Sequence, residues 1–335
     1  MIDTVGTERK MCPLCGNPGV AELNRVVDLY FSTPGEWCIR RCGNVACGLW
    51  WLDPIPGRGW ASESYEGYFT QTPQSIASRG AKEAFEQSIL DGSLGYDATG
   101  SSVLRSVGRI LGWLPPLRDE GARRVMWLEA SKMGTLLDVG CGSGGFLARM
   151  RGLGWRVQGV EPDPRAAQLA RRQFGLDVHA GTLERLEIAP ETFDAVTLNH
   201  VIEHTADPLA LLRECTRILK PGGTLVIVTP NVDSLGQRVF RSRWRGLEAP
   251  RHLCLFCPRS MRALVRASDL TVRELRTPAR SARWMWAVSR ASRKDNDGAE
   301  AMGWNVLGWM FQALEQAACA FVPVGEEVLL IATKD

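Results

Sequence analysis

Leu136-Leu137-Asp138-Val139-Gly140-Cys141-Gly142-Ser143-Gly144-Gly145-Phe146 is the stretch on which the fold turns. An apolar, β-forming run ends on a carboxylate, and a glycine turn then opens a helical run, Phe146–Leu153. Glycines suit such a turn because its backbone needs unusual dihedrals and a ligand can lie against bare main chain. Twenty-one residues after Gly140, Glu161 closes the next apolar strand, Arg156–Val160. A carboxylate at that strand end can accept hydrogen bonds from both hydroxyls of a ribose.

Outward from the turn, β-like and helical runs alternate. Thr135–Val139 is followed by Phe146–Leu153, and Arg156–Val160 by Arg165–Phe174. Asp177–Ala180, Ala195–Asn199, Leu209–Leu219 and Thr224–Thr229 continue the series. Strands alternating with helices predict an α/β fold with a parallel sheet wrapped by helices. Beyond them come a helical run, Ser260–Ala267, and strands at Leu270–Leu275 and Glu327–Thr333. A mainly helical insertion over about 278–322 separates those two strands, and its Trp and Met residues suit either a roof over a site or a packed core. Upstream, Ala81–Leu90 and Val103–Leu111 have helical spacing, Pro115–Pro116 breaks the pattern, and Glu120–Lys132 reads as a further helix. The expected division is a small module over 1–58, a helical linker or lid over 59–133, and the main domain over 134–335.

Gly140, Gly142 and Gly145 also satisfy the G-x-G-x-x-G pattern of dinucleotide sites. Two features point elsewhere: Asp138 stands where such folds keep an apolar residue, and Gly140, Gly142 and Gly144 form G-x-G-x-G. The stretch resembles motif I of the class I S-adenosylmethionine-dependent methyltransferases, which implies a Rossmann-like fold with a seven-stranded, mostly parallel sheet. By that resemblance Asp138 and the Gly140–Gly144 backbone, with Cys141 and Phe146, hold the methionine part of S-adenosylmethionine. Glu161, followed by Pro162, holds the ribose, Thr182 and Leu183 flank the adenine, and Asn199 and His200 add donor contacts. Phe193-Asp194-Ala195-Val196 is similar to the family's fourth strand, and Leu219-Lys220-Pro221-Gly222-Gly223-Thr224 to the turn before its fifth.

Asn199-His200-Val201-Ile202-Glu203-His204 follows that fourth strand, where the family presents groups to the acceptor. Of four histidines in the chain, His200, His204 and His252 fall in this part. O-methyl transfer needs an in-line nucleophile that loses its proton, and a histidine with a pKa near ~6.5 is suited to take it. The segment from His200 to Asn231 resembles the ubiquinone-type O-methyltransferases and related bacterial enzymes, and so does Pro250-Arg251-His252-Leu253. The expected catalytic set is therefore His204, His252, His200 and Glu203. Some relatives, including small-RNA 2′-O-methyltransferases, bind a divalent metal at matching places. His200 replaces their first acid, which disfavours Mg²⁺ because hard cations prefer oxygen. A metal-free base is the expectation here, with a structural role for Glu203 and His204 as the alternative. Arg238, Arg241, Arg243 and Arg245 offer an arginine cluster that could clamp phosphate, or form a solvated face; Arg241 and Arg245 are retained as substrate candidates. Cys254 and Cys257 lie in an apolar run and read as strand or core.

Ten cysteines, five of them within the first 47 residues, point to reduced thiols or metal ligands. Cys12-Pro13-Leu14-Cys15-Gly16 is one knuckle and Cys42-Gly43-Asn44-Val45-Ala46-Cys47-Gly48 a second, wider one. Two such pairs around a short β-like stretch make a zinc-ribbon pattern, with Cys12, Cys15, Cys42 and Cys47 as ligands to Zn²⁺; Cys38 could replace one. Similar ribbons precede the methyltransferase part in sugar C-methyltransferases and in some ribosomal-RNA guanine methyltransferases. Tyr65 and Tyr68, just after the ribbon, could form a lid that touches substrate, or pack between modules.

The composition, 45% hydrophobic and 23% charged with a net charge of +3, is that of an ordinary globular protein with no strong pull toward an anionic partner. Met1–Lys10 has no apolar leader, and Met302–Val324 carries polar residues at helical spacing, as an amphipathic helix does. A soluble, cytoplasmic enzyme is expected, with peripheral membrane contact through that helix as a weaker reading. The expected activity is O-methylation of a small-molecule or glycan-type acceptor by direct displacement, with His204 or His252 as base. The alternatives are an RNA methyltransferase gripping nucleic acid with ribbon and arginines, a sugar C-methyltransferase, and a non-catalytic donor-binding scaffold.

Overall fold

A computed structural model describes residues 6–31, 33–57, 80–290, 304–319 and 321–335. The chain divides into two compact units. One comprises Met1–Glu66, His200–Arg213 and Ile227–Leu330; the other comprises Gly67–Asn199, Glu214–Val226 and Ile331–Asp335.

The first unit starts with three antiparallel strands, β1 (Gly19–Val26), β2 (Trp37–Cys42) and β3 (Trp50–Asp53), and a fourth short strand, β9 (Cys254–Leu255), pairs with β3. Trp50 stands opposite Leu255 and Trp51 opposite Cys254. The core beneath this sheet joins Ile39, Trp50 and Leu52 to Val232, Trp244, Leu255 and Met285. The short strands of the cysteine-rich stretch bury their apolar side chains in this shared core.

The second unit holds helices α1 (Ala81–Leu94), α2 (Ser102–Leu111) and α3 (Pro115–Ala122), then β4 (Thr135–Val139), α4 (Gly145–Gly152), β5 (Arg156–Glu161), α5 (Pro164–Phe174), β6 (Val178–Ala180) and β7 (Phe193–Asn199). β4 pairs in parallel with β5 and with β7, and β5 with β6. Helix α6 (Pro208–Ile218) and strand β8 (Leu219–Pro230) follow in the chain and are divided between the units; α7 (Leu235–Phe240), α8 (Pro258–Val265), β10 (Leu270–Arg276), α9 (Ala282–Arg290) and α10 (Trp304–Cys319) belong to the first unit, and β11 (Glu327–Lys334) is divided again. The seven-stranded sheet runs β10-β11-β8-β7-β4-β5-β6. This is the Rossmann-like α/β order expected of a class I methyltransferase fold. The chain leaves β4 toward β5 on one side and returns to β7 on the other, so the carboxyl ends of these strands flank a topological switch point, the usual place for a ligand.

Three local expectations are corrected. Glu120–Lys132 is not one helix: α3 ends at Ala122, a short 3₁₀ turn covers Arg123–Val125, and Met126 and Trp127 take positive φ of 49° and 52°. The four consecutive residues Val125–Leu128 are all buried, which no single helix face can achieve. Pro115–Pro116 opens a helix instead of breaking one, because a first-turn proline gives up no helical hydrogen bond. Leu219–Thr224 is the start of β8, not a turn before it, and Lys220 reaches the Asp194 carboxylate at 2.8 Å. The insertion after β10 is helical where it is described, in α9 and α10.

Candidate functional site

The candidate donor residues stand on β4, β5 and β7. Gly140, Gly142 and Gly144 have φ of 72°, 54° and 83°, in the left-handed region that side chains resist. At Gly144 a Cβ would also approach Leu176 Cδ1 to 2.6 Å and Ala170 Cβ to 2.8 Å. The turn is fastened to the second carboxylate, since the Gly142 amide donates to Glu161 Oε2 at 2.8 Å and the Asp163 amide to Oε1 at 2.9 Å. Asp138 is 5% exposed and accepts the Thr197 hydroxyl at 2.6 Å. Burial pushes its carboxyl up to about 7, against the lowering pull of Thr197. Glu161 is likewise raised by burial, and the two amides offset part of this.

Two further groups speak for a ligand here. Ser143 Oγ is buried without a hydrogen-bond partner, so a polar group arriving at the turn would satisfy it. Each Glu161 oxygen has lone pairs beyond the one amide it accepts, enough for ribose hydroxyls. Cys141 and Leu183 are buried, Phe146 is half-buried, and Pro162, Thr182 and Asn199 are exposed. Two residues were missed from sequence. Thr197 orients Asp138, and Gly159 leaves room for Cys141, whose Sγ would be 2.6 Å from an added Cβ. Nothing in the order of residues signals the first; a glycine inside an apolar strand does signal the second.

The histidine segment lies in the other unit. His200, directly after β7, has φ of 55°. Its Nδ1 lies 3.1 Å from Glu203 Oε1 and its Nε2 3.2 Å from Glu327 Oε1. Burial would lower the imidazole, but the two carboxylates outweigh it and raise His200 to about 10. It therefore stands as an imidazolium, not the proton acceptor named among the catalytic candidates. Glu203, raised by burial but lowered further by His200, falls to about 2. Its Oε2 accepts the Thr229 hydroxyl at 2.9 Å. Thr229 and Glu327 had no signal in the sequence, because strands distant in the chain supply them.

Glu203, His204 and His252 come together, with ligand atoms within 4.8 Å of one another. The His204 and His252 rings meet edge to face at 4.8 Å. His204 Nδ1 lies 3.1 Å from the Arg251 carbonyl and His252 Nδ1 2.7 Å from the Gly246 carbonyl. A carbonyl only accepts, so each Nδ1 carries a proton toward it; His252 Nε2 faces the Glu248 carboxylate at 3.7 Å. His252 is 4% exposed, and burial depresses it to about 4, whereas His204 is half-buried. His200 is not in this three-residue cluster.

The arginines separate. Arg238, Arg241 and Arg243 are exposed, but Arg245 is buried, paired with Glu248 and stacked over Tyr30 at 4.7 Å. The expectation that Arg245 contacts substrate is corrected: its guanidinium is committed inside the protein. Tyr65 and Tyr68 lie outside the described residues. Cys254 and Cys257 are buried, one on β9 and the other capping α8.

Near the N-terminus Cys12, Cys15, Cys42 and Cys47 place their Sγ atoms within 4.8 Å of one another, and Cys38 is not among them. The Cys12–Cys47 and Cys15–Cys42 separations are 3.8 and 3.4 Å. Tetrahedral Zn²⁺ with bonds of about 2.3 Å sets its sulfurs about 3.8 Å apart, so the four thiols fit it. Gly16 and Gly48 both take φ of 69° just after a pair. The wide second pair closes through Asn44, whose side chain accepts the Ala46 amide at 3.0 Å and whose carbonyl accepts the Cys47 amide at 3.0 Å.

Residues 113–275 match the family model described as methyltransferase domain. The chain is 45% identical over 101 residues to a ubiquinone biosynthesis O-methyltransferase of Cereibacter sphaeroides, covering 29% of this chain and 41% of that protein. It is 39% identical over 102 residues to the protein of that description from Xanthomonas campestris pv. campestris, covering 29% and 43%. The match thus spans only about two fifths of these relatives' length. Among solved structures, an S-adenosylmethionine-dependent methyltransferase of Thermotoga maritima, a possible histamine N-methyltransferase, is 20% identical with a TM-score of 0.44, covering 76% of this chain and 99% of that one. On the family match, the strand order and the geometry of the glycine turn, residues 113–275 carry a domain of the methyltransferase family.

Proposed function

We propose that this chain is an S-adenosylmethionine-dependent methyltransferase that methylates an oxygen of a small-molecule or glycan-type acceptor. The observation that carries the reading is the Asp138–glycine turn–Glu161 arrangement, with the Gly142 amide on Glu161 at 2.8 Å. The names of the matched relatives, O-methyltransferases of ubiquinone biosynthesis, support an oxygen acceptor.

When bound, the donor supplies an electrophilic methyl carbon on a sulfonium. The chain's own residues do the rest. Glu161 accepts from the ribose hydroxyls, Asp138 and the turn amides position the amino-acid end, and Ser143 adds a hydroxyl. The acceptor oxygen would take that methyl group, leaving the donor's sulfur as a thioether, and the acceptor's hydroxyl proton would pass to a base of this chain. His204 is the better base of the two histidines, since it is the more exposed and His252 is held near 4 by burial. Glu203 places negative charge beside the imidazolium that forms.

A second reading follows from the same tautomers. Histidines that donate Nδ1 to backbone carbonyls are oriented as metal ligands are, so Glu203, His204 and His252 could hold a divalent ion. The four N-terminal thiolates are proposed to hold a structural zinc. The test is transfer of labelled methyl from S-adenosylmethionine to extracts fractionated by acceptor class, with and without a chelator. Label in small molecules or glycans supports the proposal, and label in RNA overturns the acceptor class. Activity lost to chelation and restored by a divalent ion, while the four-thiolate zinc stays bound, would replace the free base by a metal.

A further inference from the structure

Glu326 stands directly before β11, is fully buried, and gathers hydrogen-bond donors on both of its oxygens. Its Oε1 accepts the Gly236 amide at 2.8 Å and Trp286 Nε1 at 3.0 Å. Its Oε2 accepts the Ser234 hydroxyl at 3.1 Å and Trp244 Nε1 at 2.7 Å. A buried carboxylate is costly unless its lone pairs are used, and here each oxygen serves two donors. The Trp244 bond leads to the histidines. Trp244 is buried, and a Cβ on Gly246 would lie 2.3 Å from its Cζ2 and Cη2, so the Gly246 backbone rests directly against the indole. The Gly246 carbonyl in turn accepts His252 Nδ1 at 2.7 Å, and the His252 ring meets His204 at 4.8 Å.

The next residue makes a second link to the same cluster. Glu327 Oε1 lies 3.2 Å from His200 Nε2, and His200 Nδ1 lies 3.1 Å from Glu203 Oε1. Glu203 stands with His204 and His252, so two consecutive glutamates reach the cluster by separate routes. We propose that Glu326 and Trp244 are positioning residues for the histidine pair: the carboxylate fixes the indole, the indole seats the Gly246 peptide, and its carbonyl sets the His252 ring against His204. The proposal rests on the reading of His204 as the base. A fully satisfied buried network rigidifies what it holds, and a misplacement of about 1 Å can cost about 10²-fold in rate. Trp286 supplies the comparison. Its N–H serves the same carboxylate, but it also faces Glu315 Oε2 at 3.1 Å and its ring stacks on Phe311, so it leads toward α10.

The test sets Trp244→Phe and Gly246→Ala beside Trp286→Phe in the full chain. Trp244→Phe removes the N–H and shortens the ring beneath Gly246, whereas Gly246→Ala drives a methyl group into that ring. If one of the two fails to fold, the other carries the test. Each is expected to lower kcat about 10- to 100-fold, with KM and donor affinity within about twofold of wild type. Glu326→Gln, with one accepting oxygen where two are used, should move kcat in the same direction. Trp286→Phe should lower the melting temperature but keep kcat. The second readout is the proton on His252 Nδ1, seen by NMR in isotope-labelled protein and identified by its loss in His252→Ala. It should shift or broaden in Trp244→Phe and Gly246→Ala and stay in place in Trp286→Phe. An unmoved resonance in the first two overturns the inference whatever the rates, as does an unchanged kcat in both. A kcat loss in Trp286→Phe as large as theirs overturns it too. If wild type transfers no methyl group to any acceptor, the proposed function fails, and the resonance alone decides whether Trp244 sets His252.

Discussion

Glu203 Oε1 lies 3.1 Å from His200 Nδ1, and the other nitrogen of that ring faces Glu327 at 3.2 Å, so one imidazole bridges two buried carboxylates. This sets a pH dependence of stability. His200 is raised to about 10 in the folded chain, against ~6.5 when unfolded. A raised pKa stabilises fully below the unfolded value and loses its effect as pH rises through the folded one. Glu203 is lowered to about 2, so its contribution holds above ~4.5 and fades as pH falls through about 2. The melting-temperature difference between wild type and His200→Gln should be largest near pH 6 and shrink toward pH 10. A difference that is flat across this range would show that the bridge is not an ion pair.

The donor site has its own pH signature. Burial holds the Asp138 carboxyl near 7, and the ionised form is the one that attracts a cationic ligand. Affinity for S-adenosylhomocysteine, measured by calorimetry, should rise as pH goes from 6 to 8, and Asp138→Asn should flatten the curve. Glu161→Ala removes the acceptor of the Gly142 amide as well as the ribose contact, and should weaken binding by about 2–4 kcal/mol. Retention of full affinity by Glu161→Ala would place the donor elsewhere.

How much of this was legible in the sequence follows from the range of each interaction. The turn around Gly140–Gly144 and its strand–turn–helix setting are local, so residue order alone specifies them, and Glu161 follows by one strand. The partners Thr197, Thr229 and Glu327 come from strands far along the chain, and no spacing rule reaches them. Arg245 looked like one more arginine in a cluster; only the fold shows it turned inward onto Glu248 and Tyr30. The Glu120–Lys132 run has helical composition, but burial of Val125–Leu128 overrode propensity.

Asp28 and Arg251 form an ion pair at 3.0 Å with side chains 0% and 3% exposed. Asp28 also accepts the amides of Tyr30 and Phe31 at 2.9 Å and of Thr33 at 3.1 Å, while the guanidinium lies 4.0 Å over the Phe31 ring. Asp28→Ala would leave a buried cation and three amides without their acceptor. Denaturant unfolding should show a loss of about 3–5 kcal/mol. Because Arg251 also supplies the carbonyl that orients His204, turnover should fall along with stability.

His204 and His252 should behave differently in turnover. His204→Ala removes the proposed base and should lower kcat about 10²–10⁴-fold with donor affinity intact. His252→Ala removes a buried ring that packs against His204, so part of its effect should appear as lost stability. If His204→Ala keeps its rate, the base is another group.

The four N-terminal thiols make the last prediction. Purified protein should contain one zinc per chain, and Cys12→Ser or Cys47→Ser should lose it, whereas Cys38→Ser should not, since Cys38 lies outside the cluster. The effect should spread beyond the knuckles. β3 pairs with β9, and Trp50 and Leu255 share a core with Trp244 and Leu247. The next residues, Glu248 to His252, carry one of the paired histidines. Removing the zinc with a chelator should therefore loosen the Trp244–His252 segment, seen as faster amide exchange there as well as at residues 12–47. Faster exchange confined to residues 12–47 would mean that the ribbon is only a local staple, with no hold on the segment that carries His252.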